Sequence, residues 1–125
     1  MMGAIVLAAD DPAALATFYG VMLDGKPQQG LSSTHWRVPW PPGGWLEIYA
    51  PSSNRPQLRQ QGRLALCLQA ASAAGGDCLG ILQCWLEMAV QQGATVLTPP
   101  QQESFGVEAW LLDPEGNRLL LLVQT

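Results

Sequence analysis

Hydrophobic and polar positions follow two periods along this chain, and each switch of period marks an element. Gly3 to Ala9 is a short apolar run that ends at Asp10-Asp11-Pro12. Asp11 offers an N-cap carboxylate, and Pro12 is a first helical residue with no N–H to leave unpaired. Leu15, Phe18, Tyr19, Met22 and Leu23 then recur at three- and four-residue spacing, which predicts an amphipathic helix over 12–23 stopped by Asp24-Gly25. Lys26 to Gly30 reads as a weak strand and Thr34 to Val38 as a better one. A turn built from Pro39, Pro41, Pro42, Gly43 and Gly44 leads to Trp45-Leu46-Glu47-Ile48-Tyr49-Ala50, a strand of strong propensity. Residues 51–61 carry two prolines and no apolar period, and read as a linker.

The order then repeats. Residues 62–70 read as a strand, residues 77–92 as a helix ended by Gly93, and 94–97 as a short strand. Residues 107–112 and 118–123 form two more strands around Asp113-Pro114-Glu115-Gly116-Asn117. Each half is strand, helix, then three strands, and the halves align. Gly3-Ala4-Ile5-Val6-Leu7 lies over Gly62-Arg63-Leu64-Ala65-Leu66, and Gly43 to Ile48 lies over Gly116 to Leu121. One domain of two modules is expected, about 1–61 and 62–125.

Composition narrows the function. At 125 residues the chain has room for one domain with a core of its own. Apolar residues make up 48% and charged residues 13%, which excludes a disordered chain. Six bases against ten acids give a net charge of −4, and no Lys/Arg run exists, so nucleic acid is not an expected partner. The N-terminus lacks a basic region, and no run of ~20 apolar residues occurs, so neither a signal peptide nor a membrane span is expected. Cys67, Cys78 and Cys84 are an odd set without a C-x-x-C spacing, which reads as reduced thiols and a cytoplasmic setting. His35 is the single histidine, so one chain cannot build a two-histidine metal site.

Three stretches carry a family resemblance. Asp11-Pro12-Ala13-Ala14-Leu15-Ala16-Thr17-Phe18-Tyr19 is similar to the opening helix of the vicinal oxygen chelate superfamily, which holds glyoxalase I, extradiol dioxygenases and bleomycin resistance proteins. Gln92-Gly93-Ala94 before Pro99-Pro100 resembles its second-helix exit, and Asp113-Pro114-Glu115-Gly116-Asn117 its final hairpin. The resemblance implies an α+β fold, with two βαβββ modules forming a curved mixed sheet around a cleft and helices on the outer face. Metalloenzymes of the superfamily place ligands on the first, fourth, fifth and eighth strands. Carried over, these positions are Ala4, Glu47, Arg63 and Leu120. Glu47 alone has a donor atom, and Arg63 repels a divalent cation, so neither metal nor cofactor is expected.

Alternation sorts the strand faces. Trp45, Glu47 and Tyr49 should face the cleft, with Leu46, Ile48 and Ala50 toward the helices. Arg63, Ala65, Cys67 and Gln69 should share the cleft face of the fifth strand, with Leu64, Leu66 and Leu68 behind. His35 and Arg37 alternate against Trp36 and Val38, and alternation leaves open which pair faces the cleft. The expected ligand-binding set is Glu47, Arg63, Tyr49, Trp45, His35, Arg37 and Trp110, with Glu47 and Arg63 within salt-bridge distance. Together with these residues, the resemblance implies a metal-independent small-molecule binding protein of the superfamily, in the manner of its drug-sequestering members. The alternative is a lyase, isomerase or dioxygenase using Glu47 as base or single metal ligand. The second helix carries two apolar stripes, Leu79/Leu82/Leu86/Ala89 and Ile81/Trp85/Met88. The second is surplus to one buried face and points to a homodimer.

Overall fold

The computed structural model describes residues 3–41, 43–59, 63–73 and 75–125. Among them two helices and nine strands form two open sheets, the α+β class expected. The chain divides into two compact units, 1–60 and 61–125, and each sheet lies within one of them.

The first unit contains β1 (Ala4–Ala8), α1 (Pro12–Leu23), β2 (Gln28–Gln29), β3 (His35–Pro39) and β4 (Trp45–Tyr49). Its sheet order is β1-β4-β3-β2. β1 runs parallel to β4, with Val6 opposite Glu47, and β3 is antiparallel to β4, with Arg37 opposite Glu47 and Pro39 opposite Trp45. The helix has the bounds its caps dictate. The Asp11 carboxylate accepts from the Ala14 N–H at 3.2 Å. Asp24 takes the left-handed conformation (φ 51°) at the other end, and the Gly25 N–H closes the last turn on the Gly20 carbonyl at 2.9 Å. Leu15, Phe18, Tyr19 and Met22 are buried, and α1 packs on the β3–β4 face that carries Val38, Leu46 and Ile48. Full burial of each of these large side chains contributes about 2 kcal/mol. Ala50, expected on this buried face, ends beyond β4 and is half-buried.

The second unit contains β5 (Leu66–Ala71), α2 (Cys78–Gln91), β6 (Thr95–Val96), β7 (Gln101–Glu103), β8 (Gly106–Leu112) and β9 (Arg118–Gln124). The order is β5-β9-β8-β6, with β7 also pairing β8. Cys78, Leu82, Leu86 and Ala89 are buried, and α2 packs on β8 and β9, whose buried face carries Val107, Ala109, Leu111, Leu119, Leu121 and Val123. The β8–β9 hairpin closes on buried Asp113. Its carboxylate accepts from the Glu115 and Asn117 N–H groups and from the Asn117 side-chain amide, each at 2.9 Å.

Four sequence expectations are corrected here. β5 starts at Leu66, so Arg63 precedes the strand and Leu64 is 81% exposed instead of packed on a helix, while Gly62, the expected strand start, lies outside the described residues. Counted along the ladders, Ala4 is level with Trp45 and Ala65 with Arg118, so the repeat sets Ala4 against Ala65, two residues from Arg63. β7 adds a strand beyond the three expected after α2, and Gln101-Gln102-Glu103, wholly polar and mostly exposed, carries no apolar signal for it. On α2, Leu79 is exposed, and Cys78 takes its place in the buried stripe. The second stripe stays open, with Ile81 and Met88 exposed and Trp85 half-buried.

Candidate functional site

Each sheet buries one face under its helix and leaves the other open. On the first sheet the open face is set by register. Pairing puts His35 opposite Tyr49, Arg37 opposite Glu47 and Pro39 opposite Trp45, and opposed residues share a face. The question alternation left open is thereby decided: His35 and Arg37 lie with Trp45, Glu47 and Tyr49, while Val38 is buried with Leu46 and Ile48.

Glu47 is the centre of this face. Its Oε1 accepts from Arg37 Nε at 2.9 Å and from Arg37 Nη2 at 2.7 Å, and its Oε2 pairs with His35 Nε2. The glutamate and histidine side chains are each 15% exposed and that of Arg37 is 36% exposed. The carboxylate expected to meet Arg63 is therefore held by two residues of its own sheet. The Arg37 guanidinium also lies over the Trp45 ring, 4.4 Å from its centroid.

The histidine is fixed by its neighbours. The Leu31 N–H donates to Nδ1 at 2.8 Å, so that nitrogen carries a lone pair and Nε2 carries the proton given to Glu47. The His35 carbonyl accepts from the Gly30 N–H at 2.7 Å and from the Gln29 amide at 3.1 Å. Gly30 lies directly under the ring: a Cβ there would come within 2.6 Å of Cγ and 2.7 Å of Cε1. A larger residue at position 30 would push the imidazole off Glu47.

Burial pushes the Glu47 carboxyl up, but hydrogen bonds from Arg37 and His35 and the Arg37 charge outweigh it, and the net shift is downward. A carboxyl whose pKa is lower folded than unfolded stabilises fully above the unfolded value. That contribution is lost as pH falls through the folded value. Unfolding free energy measured in urea from pH 7 down to 3 should thus fall through the ordinary glutamate range and below it. Glu47→Gln should flatten this part of the acid limb, and an unchanged profile would refute the pairing.

The second sheet carries a matching feature on its open face. The Arg118 guanidinium lies over the Trp110 ring, 4.9 Å from its centroid. By ladder position Trp45 corresponds to Arg118 and Arg37 to Trp110, so both modules hold an arginine over a tryptophan across the same diagonal with the residues exchanged. Leu120 stands where Glu47 does, and among the described residues Arg118 has no carboxylate partner. Arg63 is exposed ahead of β5.

Sequence reasoning did not find the Arg37–Glu47 pair, although the hairpin held it. The Trp40 N–H closes on the Gly44 carbonyl at 3.1 Å, which fixes Pro39 against Trp45 and, two residues further on, Arg37 against Glu47. It also left out Trp40. This ring joins Trp45, Gly3, Ala4, Ile5 and Gly43 in lining an open hollow of about 270 Å³ at the end of the sheet.

A family model described as a glyoxalase-like domain matches residues 4–122. The chain belongs to the glyoxalase-like family. Solved structures agree on the fold of this glyoxalase-like chain. A glyoxalase/bleomycin resistance protein/dioxygenase family enzyme from Burkholderia phytofirmans PsJN is 14% identical with a TM-score of 0.78, over 98% of this chain and 97% of that one. A glyoxalase/bleomycin resistance protein from Albidiferax ferrireducens T118 is 19% identical with a TM-score of 0.73, over 100% and 99%. The fosfomycin resistance protein FosX from Mesorhizobium loti is 10% identical with a TM-score of 0.69, over 97% and 89%. Comparison with curated proteins gives no match.

Residue type sets what the described residues of this glyoxalase-like chain offer at the family's metal positions. Among the described residues no three His, Cys, Asp or Glu side chains gather into a metal-holding group. At the four carried-over positions, Ala4 and Leu120 have no donor atom, and Arg63, or Ala65 by ladder position, adds none. Glu47 has both oxygens occupied, one of them by a permanent cation. The three cysteines are free thiols. Among the described residues no helix is long and apolar enough to cross a membrane.

Proposed function

We propose that this glyoxalase-like chain is a metal-independent small-molecule binding protein whose ligand contacts the open face around Arg37, Glu47, Trp45, Tyr49 and His35. One observation carries the reading. Glu47, the only donor-bearing family position, is fully engaged by Arg37 and His35, while Arg37 keeps three N–H groups without a partner among the described residues. The site thus has no open place for a cation and an open place for an acceptor. Half-buried aromatic surface beside it supplies the apolar contact that small-molecule sites use. A lyase, isomerase or dioxygenase using Glu47 would first have to separate it from Arg37, since the lowered carboxyl pKa makes it a weak base. Trp110, with Arg118 over its ring, and Arg63 are the ligand contacts proposed within the second module.

The test is a thermal-shift screen of purified chain against a small-molecule library, beside metal analysis of the same sample. Binding to the native state alone raises the melting temperature, by about 2.7 kcal/mol of stabilisation at a hundredfold excess over Kd. Stoichiometric zinc, nickel, iron or manganese held by Glu47 would overturn the reading, and so would a library that shifts nothing.

The proposal extends to a cytoplasmic homodimer. The exposed Ile81 and Met88 beside Trp85 form an apolar stripe on α2, and a two-fold contact needs only one self-complementary patch. Light scattering over a dilution series should give twice the 13.4 kDa chain mass. A monomer mass at micromolar concentration would refute it. If the stripe is the contact, Trp85→Asp should shift the mass toward the monomer.

A further inference from the structure

We infer that the ligand of the Arg37 face is a neutral aromatic molecule of one or two rings bearing a planar carbonyl acceptor, such as an aryl amide. This rests on the binding function proposed above and gives it a chemical class. Three observations lead to it.

The first is donor capacity. A guanidinium has five N–H groups, and Arg37 uses Nε and one hydrogen of Nη2 on Glu47. Three N–H groups remain on a side chain that is 36% exposed, in the plane fixed by the Glu47 pair and the Trp45 stack. A planar acceptor meets such an edge at little orientational cost.

The second is charge. The cluster contains one cation, one carboxylate and a histidine with a lone pair on Nδ1 facing the Leu31 N–H. The cation and the carboxylate offset one another. A carboxylate ligand would bring a second anion to a guanidinium already paired with Glu47, and a cationic ligand would meet only donors on the Arg37 edge. A neutral carbonyl oxygen avoids both.

The third is shape. The indole that carries the guanidinium also walls the hollow shared with Trp40. Gly3, Ala4 and Gly43 add no bulk, and Ile5 is apolar, so the space takes a flat apolar body. About 270 Å³ lies below the ~300–1,000 Å³ of drug-sized sites, which limits the body to one or two rings.

The experiment is calorimetric titration of the full chain with indole-3-carboxamide, indole-3-carboxylate and indole. The amide should bind about tenfold or more tighter than either of the others, because unmatched donors penalise indole and a second anion penalises the acid. Trp40→Ala, which leaves the Glu47 cluster untouched, should weaken the amide by about tenfold through loss of stacking surface. Arg37→Lys, which keeps the charge and loses the planar fork, should bring the amide to the level of indole. Equal or tighter binding of the carboxylate overturns the inference, and so does amide binding that ignores both variants. Indole binding as tightly as the amide overturns the carbonyl requirement while the binding function stands. If none of the three binds but library compounds raise the melting temperature, the chemical class is wrong. If the library is silent as well, the binding function fails with it.

Discussion

Arg37→His is expected to raise the affinity of the chain for zinc or nickel by at least ~100-fold. The register puts position 37 opposite Glu47, and His35 already reaches the same carboxylate from its own strand. The substitution removes a permanent cation and adds a third borderline donor, giving two imidazoles and a carboxylate on one face. His35 presents Nε2 to that point; to ligate, the ring moves its proton to Nδ1 and gives up the Leu31 hydrogen bond, so Glu47 and the new imidazole carry most of the gain. Arg37→Met frees the carboxylate without adding a donor and should gain much less. Equilibrium dialysis against zinc measures the difference. Equal affinities for the two variants would show that positions 35, 37 and 47 do not converge as described.

Asp113→Ala is expected to destabilise the second unit by about 3 kcal/mol. Its buried carboxylate accepts two backbone N–H groups and the Asn117 amide, each at 2.9 Å. Hydrogen bonds to a charged acceptor contribute about 1.5–3 kcal/mol each, but water reaches part of a half-buried hairpin and recovers some of the loss. For a chain of this size the melting temperature should fall by about 10 °C. Asp113→Asn keeps one acceptor oxygen and should lose less than half as much. A loss below about 1 kcal/mol for the alanine variant, in urea unfolding, would mean that the turn holds without its carboxylate.

The parts of the fold that short-range chemistry decides were legible in the sequence. α1 has the bounds that Asp11-Pro12 and Asp24-Gly25 dictate, and β4 alternates as expected, with Leu46 and Ile48 buried and Trp45, Glu47 and Tyr49 toward the open side. Where reading failed, the deciding interaction lay elsewhere in the chain. The run Arg63 to Leu68 has strand propensity throughout, but β5 begins only where β9 offers Leu119 as a partner to Leu66. β7 has no apolar signal, since it exists by pairing its backbone with β8. The partners of Glu47 within its own sheet were also set by register. Residue types selected Glu47, His35 and Arg37, yet family analogy paired Glu47 with Arg63, whereas the hairpin register gives Arg37 as its neighbour. The His35 support could not be read at all, because it depends on backbone groups of Gly30 and Leu31 folding back on the ring.

The parallel ladders bear on the order of folding. In each unit the antiparallel hairpin, β3–β4 or β8–β9, closes over a turn of five residues, whereas β1 is separated from its parallel partner β4, and β5 from β9, by a helix and two or more strands. Loop closure over the long segment costs more entropy and is repaid only once the helix supplies an apolar surface. Hairpin and helix should therefore assemble first, and β1 and β5 should dock after the rate-limiting barrier. Substitutions that shorten buried side chains in these two strands, such as Leu68→Ala, should accelerate unfolding and leave the refolding rate nearly unchanged, whereas Leu121→Ala should slow refolding. Stopped-flow kinetics in urea separate the two, and a refolding rate reduced as much by Leu68→Ala as by Leu121→Ala would place the parallel strand in the nucleus.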